Sequence, residues 1–207
     1  MVSKRIVIGS RNVGKIDEWE KYFLNFGIKT DGLEVFGRMS EPRENGKTFV
    51  ENARIKASGY AKLINRFVFA DDGGYEIDYL GGWPGVKSRR ILPGGKEATD
   101  QELIDIVLER MKGLPYELRT VRLTSAAALS DPEGNIIFEE VASSPGIISE
   151  KPGPVLIPGY PFRTIHFLPD LNKTYAELTE EEMRAHSHKR PVAEKLARFL
   201  GTIKQSP

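Results

Sequence analysis

Two carboxylates stand side by side in the segment FVFADDGGYEID, which spans residues 67–78. The apolar run before them is typical of a buried strand, so we expect Asp71 and Asp72 at its end. We expect Gly73 and Gly74 to let the backbone turn sharply there or approach a ligand. Because neighbouring side chains of an extended segment point to opposite faces, one carboxylate can face a ligand while the other accepts a structural hydrogen bond. The alternative is an ordinary turn rich in Asp and Gly.

A second polar segment, SRNVGK at residues 10–15, joins a predicted strand to a predicted helix. A helix start offers free backbone N–H groups and the positive end of the helix dipole. Lys15 adds a mobile positive charge and Asn12 adds an amide donor, so the segment suits a triphosphate. Its spacing differs from that of the usual P-loop. The alternative is a surface loop with a solvated lysine.

A third segment, rich in Glu, Pro and Gly, contains Glu41 and Glu44 and precedes a helix. We expect it at the same edge of a parallel sheet as Asp72, where the ligands of open α/β sheets gather. The carboxylates of Asp72 and Glu44, together with phosphate oxygens, form an oxygen-rich site for Mg²⁺. The three segments together therefore favour a site for magnesium and phosphate over three unrelated loops.

His188 lies in the sequence HSHKR near the end of the chain. A His-x-His pair can bind a metal ion, but the chain has no cysteine and its remaining histidine, His166, is distant in sequence. A polar helix start is therefore the favoured interpretation. Donors at such a helix N-terminus can instead contact a base or a phosphate.

The elements that position these residues alternate between strand and helix. We predict short strands at residues 5–9, 33–36 and 67–69, and helices with one apolar face at residues 16–26 and 49–64. This order predicts an α/β sheet with parallel pairing.

The second half of the chain has a different pattern. Extended runs from Arg119 to Leu129 and from Ile136 to Ser143 flank a turn, which predicts an antiparallel hairpin. Capping boxes that begin at Thr99 and Thr179 predict two more helices. A final helix has an apolar side formed by Leu196, Phe199 and Leu200.

Composition narrows the class of protein. The chain has 207 residues, a formal net charge of +1 and no cysteine, which excludes disulfides, thiolate catalysis and zinc–thiolate sites. The balanced charge gives no indication of nucleic acid or an anionic membrane as a partner. No apolar segment is long enough for a membrane helix. We expect a cytoplasmic protein with one large domain or two small lobes.

Taken in order, these segments resemble the motifs of one family. Its TGNxGK loop corresponds to GSRNVGK here, and its ETGxTFxENAxxKA corresponds to ENGKTFVENARIKA. Its ADDSGLEVDxLGGxPGVYSAR corresponds to ADDGGYEIDYLGGWPGVKSRR, and its TxAEL and SHR correspond to TYAEL and SHK. On these motifs the chain is identified as a member of the inosine triphosphate pyrophosphatases, which hydrolyse aberrant purine nucleoside triphosphates.

The resemblance implies an α/β fold with an elongated, mixed, twisted sheet and flanking helices. It implies a single domain over residues 1–207, with two lobes around a central cleft, and a homodimer. It also implies an Mg²⁺-dependent reaction. Water attacks the α-phosphorus of the nucleoside triphosphate, and the products are the nucleoside monophosphate and pyrophosphate.

The resemblance further implies a role for each matching residue. Glu44 and Asp72 would bind Mg²⁺, Asp72 would accept the proton of the attacking water, and Lys15 would assist catalysis. His188 and Lys189 would lie at the purine base of the nucleotide. The full set implied to contact the substrate is Ser10, Asn12, Lys15, Lys56, Gly73, Ser88, Arg90, Tyr160, Phe162, Met183, Ser187, His188 and Lys189.

Four departures from the family motifs bear on the substrate. Gly73 replaces a serine, Pro161 replaces the aspartate of GFGYDPIFxP, Met183 replaces a lysine, and Lys189 replaces the arginine of SHR. Three of these fall where the family contacts the base, although Phe162 can still stack on one. We therefore expect the reaction type to be kept and the base preference to be relaxed. The alternatives are a pyrophosphatase for a different nucleotide and a nucleotide sensor without turnover.

Overall fold

A mixed α/β architecture is present in the computed structural model, which describes residues 5–202. The strands are β1 (Arg5–Ile8), β2 (Lys29–Gly32), β3 (Val68–Ile77), β4 (Trp83–Pro84), β5 (Thr120–Ser130), β6 (Ile136–Ile148), β7 (His166–Leu168) and β8 (Lys173–Thr174). The α-helices are α1 (Val13–Asn25), α2 (Phe49–Ile64), α3 (Asp100–Arg110), α4 (Glu180–His186) and α5 (Lys189–Thr202). One sheet contains all these strands in the order β2-β1-β3-β5-β6-β7-β8, with β4 paired to β3. The predicted α/β class with a mixed sheet is confirmed.

The first three strands pair as the strand–helix alternation predicts, because β1 runs parallel to both β2 and β3. The predicted position of the second strand is wrong. Strand β2 is Lys29–Gly32, and Leu33–Phe36 forms a 3-10 helix instead. As an edge strand β2 tolerates polar residues, and Asp31 accepts a hydrogen bond from Arg5 Nε at 2.6 Å. The apolar run that follows instead places Leu33 in a buried cluster beside β1.

Strand β3 differs from its prediction in a way that affects the site. It continues through Asp71, Asp72 and both glycines as far as Ile77, so the predicted strand end and sharp turn are wrong. Pairing overrides the local turn signal, because the far end of the strand still has an antiparallel partner in β4, with Ile77 opposite Trp83. Both carboxylates therefore project from an extended strand.

The predicted hairpin is confirmed as β5 and β6, which are neighbours in the sheet. Both predicted capping boxes are present: Thr99 and Glu102 begin α3, and Thr179 and Glu182 begin α4. Helix α5 buries its apolar side through Val192, Leu196 and Leu200. None of the helices within residues 5–202 is long and apolar enough to cross a membrane.

The chain divides into two compact units. Within the described residues, unit 1 comprises residues 5–72, 125–142 and 188–202, and unit 2 comprises residues 73–124 and 143–187. Unit 1 has a core of β1, α1 and α5 side chains around Trp19 and Phe69. Unit 2 has a core of β3 and α3 side chains around Tyr75 and Leu103. The single domain with two lobes around a cleft stays a prediction.

Candidate active site

Three of the predicted site residues meet in unit 1. Lys56 Nζ lies 3.1 Å from Glu44 Oε2 and 3.5 Å from Asp72 Oδ1. The Lys56 side chain is 13% exposed and that of Asp72 is 15% exposed, so the ammonium and this carboxylate are largely shielded from solvent. One ammonium group thus lies against both carboxylates that the sequence predicts as metal ligands.

Helix α2 holds this arrangement in place. Asn52 and Lys56 are four residues apart and therefore project from the same face of the helix. Asn52 Nδ2 donates to Asp72 Oδ2 at 3.0 Å, while its Oδ1 accepts from Gly46 N at 2.8 Å. One buried amide thereby connects the loop that carries Glu44 to strand β3. Asn52 was not predicted from the sequence, although its spacing from Lys56 and its place in ENGKTFVENARIKA could have indicated it.

Asp71 projects to a different partner. Its Oδ2 lies 3.2 Å from Lys15 Nζ, and the Asp71 side chain is only 2% exposed. Burial alone would raise the pKa of Asp71, but the positive charges of Lys15, Lys189 and Lys56 outweigh it and lower that pKa to about 2. Burial likewise opposes the charge on Lys15, yet the carboxylates of Asp71 and Asp72 raise the pKa of Lys15 overall.

The pKa of Asp72 moves in the opposite direction. Burial raises it above the usual value, and the nearby charges of Lys56 and Lys15 only partly offset that effect. Two adjacent carboxylates therefore differ: Asp71 is held as a buried anion, whereas Asp72 binds a proton more readily. This difference suits Asp71 to a structural role and Asp72 to proton transfer.

Asn12 forms the N-terminal cap of α1, because its Oδ1 accepts from Lys15 N at 3.1 Å. The hydroxyl of Ser10 in turn accepts from Asn12 N at 3.2 Å. These bonds shape the loop that delivers Lys15, and they leave the Asn12 amide N–H₂ as a donor. The contacts of Ser10 and Asn12 with phosphate stay predictions.

The start of α5 brings another predicted residue into unit 1. Lys189 Nζ lies 2.7 Å from Glu18 Oε2 and 5.2 Å from the centre of the Trp19 ring. Ser187 and His188, just before it, are buried as well. Glu18 was not predicted from the sequence, because its position on α1 three residues after Lys15 gives no separate signal. The contacts of Ser187, His188 and Lys189 with a base stay predictions.

Unit 2 contains the remaining predicted residues. Phe162 is 7% exposed and stacks on Tyr75, with ring centroids 4.7 Å apart and planes 5° apart. One face of the Phe162 ring is therefore already covered, and that face cannot stack on a nucleotide base. The Tyr160 ring lies 4.0 Å from the Arg163 guanidinium.

The other residues in unit 2 have simpler surroundings. The Ser88 hydroxyl donates to Gly85 O at 2.6 Å. Arg90 is exposed, Gly73 lies within β3, and Met183 is half-buried on α4. Their contacts with substrate stay predictions.

The two carboxylates fit a magnesium ion by their chemistry. Among residues 5–202, the His, Asp and Glu side chains form no group of three that could hold a metal ion. Mg²⁺ is usually held by one or two carboxylates together with substrate phosphates, so Glu44 and Asp72 are the residues that could hold it here. The ammonium of Lys56 lies beside both of them, which marks the place where they favour a cation.

The chain belongs to the Ham1 family, whose model matches residues 6–199. A dITP/XTP pyrophosphatase from Bacillus subtilis (strain 168) is 36% identical over 200 residues, which are 97% of this chain and 98% of that protein. A dITP/XTP pyrophosphatase from Halalkalibacterium halodurans is 34% identical over 197 residues, which are 95% of this chain and 99% of that protein.

Solved structures agree with this assignment. A HAM1 protein from Coxiella burnetii is similar with a TM-score of 0.80 and 33% identity, over 95% of this chain and 98% of that one. The Staphylococcus aureus Ham1 protein is similar with a TM-score of 0.79 and 30% identity, over 97% of this chain and 100% of that one. The family and the enzyme class that the motifs predict, a hydrolase of the nucleoside triphosphate pyrophosphatase type, are confirmed.

Proposed function

We propose that this chain hydrolyses triphosphates of inosine, xanthosine and deoxyinosine to the nucleoside monophosphate and pyrophosphate, with Mg²⁺. The observation that carries the proposal is the position of the Lys56 ammonium against both Glu44 and Asp72. The Lys56 ammonium places a positive charge beside both carboxylates. Two carboxylates with phosphate oxygens form the usual ligand set of Mg²⁺. The relatives named dITP/XTP pyrophosphatase support this class of substrate.

We assign to Asp72 the role of general base, which accepts the proton of the attacking water. A carboxylate whose pKa is raised by burial holds a proton better than an exposed one, which suits a general base. Asn52 donates to Oδ2 of Asp72, which fixes the carboxylate plane and leaves Oδ1 on the side of Lys56. When bound, Mg²⁺ supplies neutralising charge to carboxylates and phosphates and lowers the pKa of its water.

Positive charge for the triphosphate comes from Lys15, Lys56 and the N-terminus of α1. Phosphoryl transfer requires mainly positioning and charge stabilisation, which fixed ammonium groups provide. In the free protein each lysine is neutralised by a carboxylate: Lys15 by Asp71, and Lys56 by Glu44 and Asp72. Both charges are thus held near the place where we assign the phosphates.

A second candidate function is a pyrophosphatase for a different base, and Met183 favours it. A methionine offers a flexible apolar contact instead of a charged donor, so it accepts several bases without selecting one. A sensor without turnover is the less favoured alternative, because a pure binder needs no general base such as Asp72.

Pyrophosphate release from a panel of nucleotides tests the proposal. We expect release from the triphosphates of inosine, deoxyinosine and xanthosine with Mg²⁺, and none in excess chelator. Binding without release would indicate the sensor, and release that peaks with another base would indicate the second candidate. Full activity in chelator would remove the metal from the mechanism.

A homodimer, a cytoplasmic location and the absence of a nucleic-acid partner stay predictions. Light scattering of the purified protein at several concentrations tests the dimer directly.

A further inference from the structure

We propose that Arg89 and Asp100 are positioning residues that hold the backbone of Gly159 and thereby set nucleotide affinity. This inference rests on the proposed function, because it assigns nucleotide contacts to the segment that contains Tyr160. All three residues of the arrangement belong to unit 2.

The three residues form a closed ring of contacts. Arg89 Nη1 lies 3.1 Å from Asp100 Oδ1, and Arg89 Nη2 donates to Gly159 O at 2.9 Å. The other oxygen of Asp100 accepts from Gly159 N at 2.6 Å. Side chains therefore satisfy both backbone groups of a single glycine, which is a direct way to fix the conformation of a turn.

Gly159 forms a turn that depends on glycine at this position. Its φ of +82° lies in the left-handed region, which side-chain-bearing residues seldom adopt. The turn is closed by Tyr160 N, which donates to Ile157 O at 2.9 Å. It leads directly into the 3-10 helix Pro161–Thr164, which carries Phe162. Fixing Gly159 thus fixes the start of the segment that carries Tyr160 and Phe162.

The two side chains are themselves anchored on ordered structure. Asp100 is the first residue of α3 and lies within the capping box that Thr99 forms with Glu102. The backbone carbonyl of Arg89 accepts from Ala98 N at 2.9 Å. Arg89 also lies between Ser88 and Arg90, which the resemblance implies contact the substrate. It therefore connects two segments that are both predicted to contact the substrate.

Arg89 departs from the family motif PGVYSAR, which has alanine where this chain has arginine. The motif therefore assigns no role to this position. The Arg89 side chain is 42% exposed, so its ion pair contributes little to overall stability. We therefore expect its effect to be local to the Gly159 turn.

The test compares Arg89→Ala, Asp100→Asn and the double variant with wild type. Affinity for the α,β-methylene analogue of inosine triphosphate is measured by calorimetry with Mg²⁺, so the result does not depend on turnover. Hydrogen exchange at Gly159 N reports the turn itself. Arg122→Ala is the matched control, because it breaks another exposed Arg–Asp pair of unit 2, that with Asp78.

We expect each single variant to weaken affinity about tenfold, with faster exchange at Gly159 N and little change in melting temperature. Arg89→Lys keeps the charge but loses the planar fork, so its loss should be intermediate. The double variant should lose no more than the worse single one, because both side chains act on the same turn. Unchanged affinity in Arg89→Ala, or an equal loss in Arg122→Ala, overturns the inference. Absent pyrophosphate release in wild type would instead contradict the proposed function.

Discussion

Lys15 Nζ lies 3.2 Å from Asp71 Oδ2, where the Asp71 side chain is buried and the Lys15 side chain is 23% exposed. The lysine that the motif assigns to phosphate is thus paired, in the free protein, with the carboxylate that precedes the predicted general base. The pair accounts for how two adjacent aspartates are tolerated in β3. Asp71 is neutralised by Lys15, and Asp72 by Lys56 on another side of the strand.

Asp71→Asn should lower the free energy of unfolding by about 3 kcal/mol, because it leaves Lys15 without its buried partner. Urea denaturation at neutral pH measures this change. The matched control is Asp31→Asn, which breaks the more exposed pair with Arg5 in the same unit and should lower the free energy of unfolding much less. Equal losses in the two variants would show that the Lys15–Asp71 pair contributes no more to the free energy of unfolding than an exposed pair does.

Asp72→Asn should keep the fold and reduce the rate of pyrophosphate release roughly 10²–10⁴-fold, the usual scale for a general base. The amide is nearly isosteric and can still accept from Asn52. Circular dichroism checks the fold, and steady-state kinetics with inosine triphosphate measures the rate. Glu76→Gln is a control in the same strand, where Glu76 accepts from Thr124 Oγ1 at 2.5 Å. Wild-type turnover in Asp72→Asn would exclude it as the base.

His166 should make unit 2 sensitive to acid. The ring is fully buried against Tyr75 and Tyr175. Burial lowers its pKa from 6.5 to about 4, and the charge of Arg163 acts in the same direction, while the carbonyl of Pro145 opposes it. The unfolded chain binds the proton more tightly, so stability is complete above about pH 6.5 and falls as pH decreases towards 4.

The difference amounts to about 3 kcal/mol by linkage, and denaturation at a series of pH values measures it. His166→Phe should flatten the pH dependence of stability between 6.5 and 4. If His166→Phe keeps the full acid sensitivity, the titrating group lies elsewhere.

Met183→Lys should increase the preference for 6-oxo purines. The new ammonium would offer a donor that a 6-amino purine cannot accept, so the ratio of kcat/KM for inosine and adenosine triphosphates should rise about tenfold. Met183→Leu keeps an apolar side chain and is the control. A wild-type preference for inosine triphosphate on the order of 10⁴-fold would mean that the site already selects strongly and that the interpretation of Met183 is wrong.

The sequence predicted which carboxylates lie close together better than it predicted the bounds of the strands. Glu44 and Asp72 could be placed together because a parallel sheet brings the ends of neighbouring strands to one edge. The length of β3 could not be predicted, since Gly73 and Gly74 are local turn signals and only pairing with other strands overrides them. The same holds for β2, whose polar residues are acceptable only because the strand lies at an edge.

The ion pairs and hydrogen bonds between side chains could not be predicted from the sequence for a related reason. The alternation of side chains along a strand predicts that Asp71 and Asp72 project to opposite faces. It does not predict which lysine forms an ion pair with each of them. Glu18 and Asn52 were missed because their partners, Lys189 and Asp72, are remote in sequence. Such contacts depend on how helices pack on the sheet, which local patterns do not specify.

The continuity of β3 has a consequence for how this protein can change over generations. Substitutions at single positions of the strand alter one face at a time, so sequences can drift there while both aspartates keep their surroundings. An insertion or deletion of one residue before Asp71 would exchange the faces of every residue after it, because the side-chain period of a strand is two. Asp72, the proposed general base, would then be buried against Lys15, and Asp71 would take its place. We expect relatives to vary in the identity of the residues along this strand but to conserve their number.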